Sequence, residues 1–309
     1  MIDRDDIGRA VEVVRGRLHR TPLLSCRTLG QKAFLKAELF QKTGSFKPRG
    51  MLTKVASLSP EEKSRGIVTW SAGNAAQGAA FAAAVEGIPC TVFMWASANP
   101  LKVAATRGYG AEVDLTAESP AEAHERLLSY VEETGRTFVH PFDDPVLQAG
   151  HGTLGLEVVE DLPEVATIVV PVGGGGLIAG VASAVDCRVV GVEPERAPSL
   201  SAALEAGEPV RIEPASVADG LNAPFTGAGT LEVCRERVDC VVLVSDDEIA
   251  DGMRFLYTRA KLACEPAGAA AVAALLAGKI AVEPGAPVVA VVSGGNADPK
   301  IAAGILAGR

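Results

Sequence analysis

The chain has 309 residues, of which 48% are hydrophobic and 22% are charged, a composition typical of a folded globular protein. The net charge of −9 argues against a nucleic-acid-binding or anionic-membrane-binding surface, because both require clustered positive charge. The N-terminus lacks the apolar segment of a signal peptide, and no run of about 18 apolar residues predicts a membrane span, so we expect a cytoplasmic protein.

Short runs of consecutive apolar residues predict strands that are buried on both faces, as in parallel sheets. We predict these strands at residues 67–70, 90–94, 167–172, 189–192, 241–244 and 288–292. Alanine-rich segments between them predict helices at residues 75–86, 177–185, 246–262 and 267–278. Strands that alternate with helices of this length predict an α/β fold with doubly wound parallel sheets.

The strands group into an early block and a late block along the chain. Two prolines interrupt regular structure between His140 and Pro145, which makes this segment the best candidate for a hinge. We expect two domains: a large one formed by residues 1–50 and 144–309, and a small one formed by residues 51–143.

Four consecutive glycines, Gly173 to Gly176, follow the predicted strand 167–172 and precede the helix that starts at Leu177. Main-chain N–H groups without neighbouring side chains can converge on an anion, and the helix N-terminus adds partial positive charge. The spacing matches neither a Walker A loop nor the GxGxxG of dinucleotide folds. One or two glycines would be enough for a tight turn, so phosphate binding is the favoured interpretation.

Lys47 stands between Phe46 and Pro48 in a turn-rich segment before a predicted helix. Partial burial there would lower the pKa of Lys47 and free its amine as a nucleophile toward aldehydes. The segment alone fits an ordinary surface lysine better, in a basic loop with Lys42 and Arg49.

Two polar motifs follow predicted strands, one at residues 71–74 (Ser-Ala-Gly-Asn) and one at residues 293–296 (Ser-Gly-Gly-Asn). The first motif could bind a carboxylate or could simply cap a helix. In open α/β sheets ligands bind beyond the carboxyl ends of strands, and three of the four motifs follow such ends. We therefore expect the motifs to form one site.

Seven motifs together resemble one enzyme family; in chain order they are GSFKPRG, SAGNAAQG, HPFDDPVLQAGHGT, PVGGGGL, VADG, EPAGA and SGGN. The chain resembles the serine/threonine dehydratase and serine racemase family, pyridoxal-phosphate (PLP) enzymes of fold type II, from about residue 21 to residue 296. The resemblance implies two doubly wound parallel-sheet domains with PLP in the cleft between them, an amino-acid substrate and a homodimer.

The resemblance also implies roles for individual residues. Lys47 would carry PLP covalently and act as the base at the substrate Cα, and Ser71 would be a second catalytic residue. Ser293 would face the pyridine nitrogen, where a neutral hydroxyl makes the ring a weak electron sink and favours elimination. The remaining cofactor contacts would come from Phe46, Asn74, Gly173, Gly174, Gly175, Gly176, Leu177 and Glu265. The substrate-binding residues would be Ser71, Asn74, Ala75 and Gln77.

The implied reaction is the dehydration and deamination of L-threonine or L-serine to a 2-oxo acid and ammonia. Racemases of the family carry a serine where Ala72 stands, so racemisation of serine or another amino acid is the alternative. Ala75 replaces a histidine common in the family, which with Phe225 leaves open a bulkier β-hydroxy amino acid. A β-replacement synthase and a non-catalytic amino-acid-binding or phosphate-binding module are further alternatives.

By resemblance, a cation site would comprise Glu193, the carbonyl of Ala197 and Ser199. Metal-dependent members usually have aspartate where Ser199 stands, and a hard divalent cation prefers carboxylates, so the serine weakens the site. A divalent ion, a monovalent ion and no ion all remain open.

Overall fold

The computed structural model describes residues 2–308, in which ten strands form two separate sheets. The strands are β1 (Leu23–Ser25), β2 (Ala33–Ala37), β3 (Ile67–Trp70), β4 (Cys90–Trp95), β5 (Glu112–Ala117), β6 (Thr137–Phe138), β7 (Thr167–Pro171), β8 (Arg188–Pro194), β9 (Cys240–Val244) and β10 (Val288–Val292). The large sheet has the order β1-β2-β10-β7-β8-β9, and the small sheet has the order β5-β4-β3-β6.

Helices cover both sheets, and many begin with a proline in the first turn after a capping side chain. For example, the Ser119 side chain accepts a hydrogen bond from the N–H of Glu122 at the start of its helix, which ends at the left-handed Gly135. The helices are α1 (Arg4–Val14), α2 (Lys47–Ala56), α3 (Pro60–Arg65), α4 (Asn74–Glu86), α5 (Pro100–Gly108), α6 (Pro120–Thr134), α7 (Pro145–Asp161), α8 (Gly176–Ala184), α9 (Ser199–Ala206), α10 (Ala228–Arg237), α11 (Asp246–Phe255), α12 (Pro266–Leu276) and α13 (Pro299–Leu306).

The predicted α/β fold with two parallel sheets is confirmed, with one difference at an edge. Each neighbouring pair of strands is parallel except β1 and β2, which are antiparallel. The short connection at residues 26–32 permits this pairing, because antiparallel neighbours need no helical crossover. Among residues 2–308, no helix combines the length and apolar character that a membrane crossing requires.

The core of the large sheet is built from aliphatic side chains and alanine. All five residues of β10 are buried between β2 and β7. Helix α12 is buried along most of its length, and its alanines let it approach the sheet closely. Small side chains at such contacts explain how the chain packs a core with only 5% aromatic residues.

The chain passes between the two sheets twice. The small sheet lies within residues 67–138, and the strands of the large sheet lie on either side of that segment. Helix α2 occupies the first passage and packs against both α4 and α7. The domain division at residues 50 and 143 stays a prediction, and its first boundary falls inside α2.

Candidate active site in the cleft between the sheets

The polar motifs meet at the carboxyl ends of strands. Ser71 follows the last residue of β3, Gly173 follows β7 after one residue, and Ser293 follows β10 directly. Parallel strands present these ends at one edge of each sheet, and the two edges face the same cleft. The contacts described below join the motifs into one site.

Lys47 is the first residue of α2, and its amine points into the cleft. Its Nζ donates a hydrogen bond to the main-chain oxygen of Pro141 at 2.8 Å and lies 5.1 Å from the centroid of the Phe46 ring. Burial of the amine lowers the pKa of Lys47 to about 8. An appreciable fraction of the amine is therefore neutral, and hence nucleophilic, near neutral pH.

The start of helix α4 lies beside Lys47. A Cβ built on Gly78 would lie 3.0 Å from the Cβ of Lys47, so glycine at this position allows α4 to approach α2 closely. Ser71 Oγ accepts a hydrogen bond from the N–H of Gly73 at 3.1 Å. The N–H groups of Asn74 and Ala75 donate to no acceptor among residues 2–308, which leaves the N-terminus of α4 available to a carboxylate.

The glycine loop between β7 and α8 leaves no room for side chains. Gly175 has a φ of +82°, which favours glycine. A Cβ on Gly174 would overlap the Phe142 ring, and a Cβ on Gly176 would lie 2.5 Å from the Phe142 main-chain oxygen. Among the described residues, the N–H groups of Gly174, Gly175 and Gly176 donate no hydrogen bond. These donors, at the N-terminus of α8, can bind an anion.

Ser293 lies at the base of α2. Its main-chain oxygen accepts a hydrogen bond from the N–H of Phe46 at 3.1 Å, and Ser45 forms a β-bridge with Gly294. Ser293 is 3% exposed. The end of β10 and the start of α2 are therefore held together, with Ser293 beside Phe46 and Lys47.

Asn74, Glu265 and Asn296 form a hydrogen-bond chain across the cleft. Asn74 Nδ2 donates to Glu265 Oε1 at 2.6 Å, and Asn296 Nδ2 donates to Asn74 Oδ1 at 2.8 Å. Burial, with a smaller contribution from Asp219, raises the pKa of Glu265 to about 7. The chain joins α4, beside the small sheet, to two segments of the large one.

Two further contacts join α5 to the large-sheet side of the cleft. Lys102 forms an ion pair with Asp219, and Asn99 Nδ2 donates to Asp298 Oδ2 at 2.5 Å. Asp219 belongs to the loop whose next residues, Gly220 and Leu221, pack against Gly173.

Sequence reasoning gave no role to three residues that the structure places in the site: His140, Phe142 and Asn296. His140 Nδ1 accepts hydrogen bonds in the turn that contacts Lys47, and Phe142 covers the glycine loop. All three lie inside motifs of the resemblance, and that position was the only signal available. Phe225 packs against Phe142, with ring centroids 5.3 Å apart.

Arg49 is not a surface residue, contrary to the interpretation of its segment as a basic loop. Its guanidinium is fully buried and donates hydrogen bonds to Glu38 and Glu157. Lys36, also fully buried, donates to Glu157 at 2.6 Å. This network of two cations and two carboxylates fixes α2, the helix that starts at Lys47.

The predicted cation ligands lie close together, but protein donors already satisfy the carboxylate. Glu193 is buried, and burial raises its pKa. Its oxygens accept hydrogen bonds from the N–H groups of Leu200 and Ser201 and from the Ser201 hydroxyl. Ser199 Oγ donates to the Gly173 oxygen at 3.0 Å. Glu193 therefore caps α9, and a bound cation stays a prediction.

One turn, residues 140–143, contacts both the reactive lysine and the glycine loop. This proximity is what an enzyme needs in order to hold a phosphorylated aldehyde cofactor covalently. The sequence profile described as "Pyridoxal-phosphate dependent enzyme" matches residues 14–294. The chain belongs to this family, as its motifs predicted.

Individual relatives agree with this assignment. The L-threonine ammonia-lyase of Thermotoga maritima is 46% identical over 308 residues, which cover 96% of this chain and 76% of the relative. Maize serine racemase superposes with a TM-score of 0.92 at 35% identity, covering 96% of this chain and 94% of that one. A threonine deaminase from the bacterium abbreviated T.th. superposes with a TM-score of 0.89 at 39% identity, covering 96% and 99%.

PLP is the cofactor of this family, and the residues present fit it. The amine of Lys47 can hold the aldehyde, and the free N–H groups of Gly174, Gly175 and Gly176 can hold the phosphate. Side chains are excluded from the loop, which leaves its amides open to the ligand. The individual contacts expected of Phe46, Asn74, Leu177, Glu265 and Ser293 stay predictions.

Proposed function

We propose that this protein is an L-threonine ammonia-lyase that converts L-threonine to 2-oxobutanoate and ammonia, with L-serine as a second substrate. The observation that carries the proposal is the half-buried Lys47 amine, held between the glycine loop and the N-terminus of α4. The substrate class follows from the L-threonine ammonia-lyase that is 46% identical over 96% of the chain.

Each site residue has a part in the proposed reaction. PLP, when bound, supplies an electron-withdrawing ring that acidifies the Cα–H bond of an attached amino acid. The free N–H groups at the start of α4, with Ser71, bind the substrate carboxylate. The Lys47 amine then takes the proton from Cα, and loss of the β-hydroxyl follows. The neutral hydroxyl of Ser293 does not stabilise positive charge on the ring, which favours elimination over a long-lived carbanion.

The test is a spectrophotometric screen for 2-oxo acid release from L-threonine, L-serine and bulkier β-hydroxy amino acids. Lys47→Ala should lower turnover by several orders of magnitude, since the residue that holds PLP and moves the proton is lost. Lys42→Ala is the matched control, because Lys42 is an exposed lysine of the same segment. Retention of more than about a tenth of the activity in Lys47→Ala would refute the assignment.

Racemisation is the second candidate, because serine racemases are among the similar structures. Inversion at Cα needs a proton donor on the face opposite Lys47, and the methyl group of Ala72 cannot serve. We therefore expect little D-amino acid from the wild type and a higher ratio of racemisation to elimination in Ala72→Ser. Chiral chromatography after partial turnover measures both, and rapid formation of the D enantiomer by the wild type would refute this choice.

We further propose a homodimer located in the cytoplasm. Light scattering coupled to size-exclusion chromatography measures the oligomeric state, and cell fractionation measures the location.

A further inference from the structure

We propose that His140 is a positioning residue: its ring holds the turn at residues 140–143, and this turn fixes the Lys47 amine beside the glycine loop. The inference rests on the assignment of Lys47 above, although not on the identity of the amino-acid substrate.

The turn is wrapped around one nitrogen of the His140 ring. Nδ1 accepts a hydrogen bond from the N–H of Asp143 at 2.9 Å and a second one from the N–H of Phe142 at 3.3 Å. Pro141 has no N–H, so both N–H groups that follow it in the turn are directed to His140. With Nδ1 as the acceptor, the neutral ring carries its proton on Nε2.

The same turn contacts both halves of the cofactor site. The Pro141 oxygen accepts the hydrogen bond from Lys47 Nζ at 2.8 Å. The next residue, Phe142, places its ring where a Cβ of Gly174 would lie and its oxygen 2.5 Å from a Cβ built on Gly176. A change in the turn would therefore move the lysine acceptor and the cover of the glycine loop together.

Aromatic neighbours hold the His140 ring in this orientation. Its centroid lies 4.6 Å from that of Phe142, with the rings nearly perpendicular, and 5.6 Å and 6.2 Å from those of Phe138 and Phe225. These rings come from β6, from the turn itself and from the loop before α10. The ring is thus packed on several sides, and Nδ1 keeps its direction.

His140 can keep this role across the physiological pH range. Burial, the Lys47 charge and His124 lower the pKa of His140 to about 4, and Asp144 opposes the shift. Burial and Asp144 raise the pKa of Asp143, the other titratable group of the turn. His140 is therefore neutral near pH 7, and Nδ1 stays an acceptor.

Two variants separate the acceptor from the ring. In His140→Asn, Oδ1 stands the same number of bonds from Cα as Nδ1 and can accept the same hydrogen bonds. In His140→Phe, the ring remains but the acceptor is lost. We expect His140→Asn to retain most of the wild-type kcat and His140→Phe to lose about 100-fold, with a smaller change in KM, because the lysine is misplaced.

The discriminating measurement needs no turnover. The rate at which the cofactor-free protein captures PLP, followed by absorbance, should rise with pH around the Lys47 pKa of about 8. Opening of the turn admits water to Lys47, so the midpoint should move upward in His140→Phe and stay in place in His140→Asn. An unchanged midpoint in His140→Phe, or equal behaviour of the two variants, would overturn the proposal.

If His140→Phe does not fold, nitrogen NMR of the wild type labelled in its histidines provides the second test. The proposal requires the His140 proton on Nε2, and a proton on Nδ1 would overturn it. A wild type that captures PLP with the expected profile but does not act on threonine would contradict the proposed function alone.

Discussion

Replacing Arg49 by methionine tests the buried ion network beneath α2. Arg49 donates to Glu38 at 2.8 and 2.9 Å and to Glu157 at 2.7 and 2.9 Å. Without Arg49, Glu157 keeps its bond to Lys36, whereas Glu38 keeps only the Thr21 hydroxyl. Because Glu38 is fully buried, its charge would be uncompensated, and we expect a loss of about 3–5 kcal/mol in the free energy of unfolding.

Urea unfolding of the cofactor-free protein measures this loss, with two variants for comparison. Arg4→Met removes an ion pair whose side chains are 63% and 83% exposed, so it should change the free energy by less than about 1 kcal/mol. Adding Glu38→Gln to Arg49→Met removes the orphaned charge and should restore a large part of the loss. The reasoning fails if Arg49→Met is no less stable than Arg4→Met, or if the double variant shows no recovery.

Three further predictions concern the cleft. Gly174→Asp should abolish measurable PLP binding while circular dichroism stays unchanged, since a carboxylate would repel the phosphate; an unchanged dissociation constant would make the loop a packing turn only. Gly78→Ala should lower kcat by about tenfold or more, because a Cβ 3.0 Å from that of Lys47 pushes α4 from α2; kinetics equal to the wild type would contradict the tight packing. Glu265 has its pKa raised from 4.5 to about 7, so the folded state binds this proton more tightly than the unfolded chain does. Its stabilising contribution is lost as the pH rises through about 7, by about 3 kcal/mol at 1.36 kcal/mol per pKa unit, and Glu265→Gln should remove this fall in urea unfolding across that range; an equally steep fall in the variant would place its origin elsewhere.

Buried β-branched runs were sufficient to predict the central strands. Residues 67–70 and 288–292 are strands with the predicted bounds, and 241–244 differs by one residue. Strand β2 was missed because it contains Lys36, a polar residue that the sheet buries in an ion network. Strand β6 was missed because it has only two residues and depends on its partner β3.

The helix predicted at residues 246–262 shows a different limit. Helix α11 ends at Phe255, a π-helical turn occupies Leu256–Ala260, and Lys261 has a φ of +60°. Apolar spacing continues through this segment, so the sequence pattern does not reveal the change in hydrogen bonding.

The candidate site divides in a similar way between local and distant contacts. The glycine loop and the motif at residues 71–74 could be predicted because each follows its own strand directly. The role of Asn74 depends on Glu265, 191 residues away, and the acceptor of Lys47 lies 94 residues away in Pro141. No local pattern encodes such pairs, which explains why the burial of Arg49 and the contacts of His140 were not foreseen.

The two passages of the chain between the sheets carry the two partners of one hydrogen bond. Lys47 lies on the outgoing passage, and Pro141 lies on the returning one. A rotation of the small sheet relative to the large one therefore changes the separation of these two atoms before it disturbs either core. The lysine acts as a gauge of how far the cleft is open, and a ligand that draws the sheets together adjusts its amine without touching it.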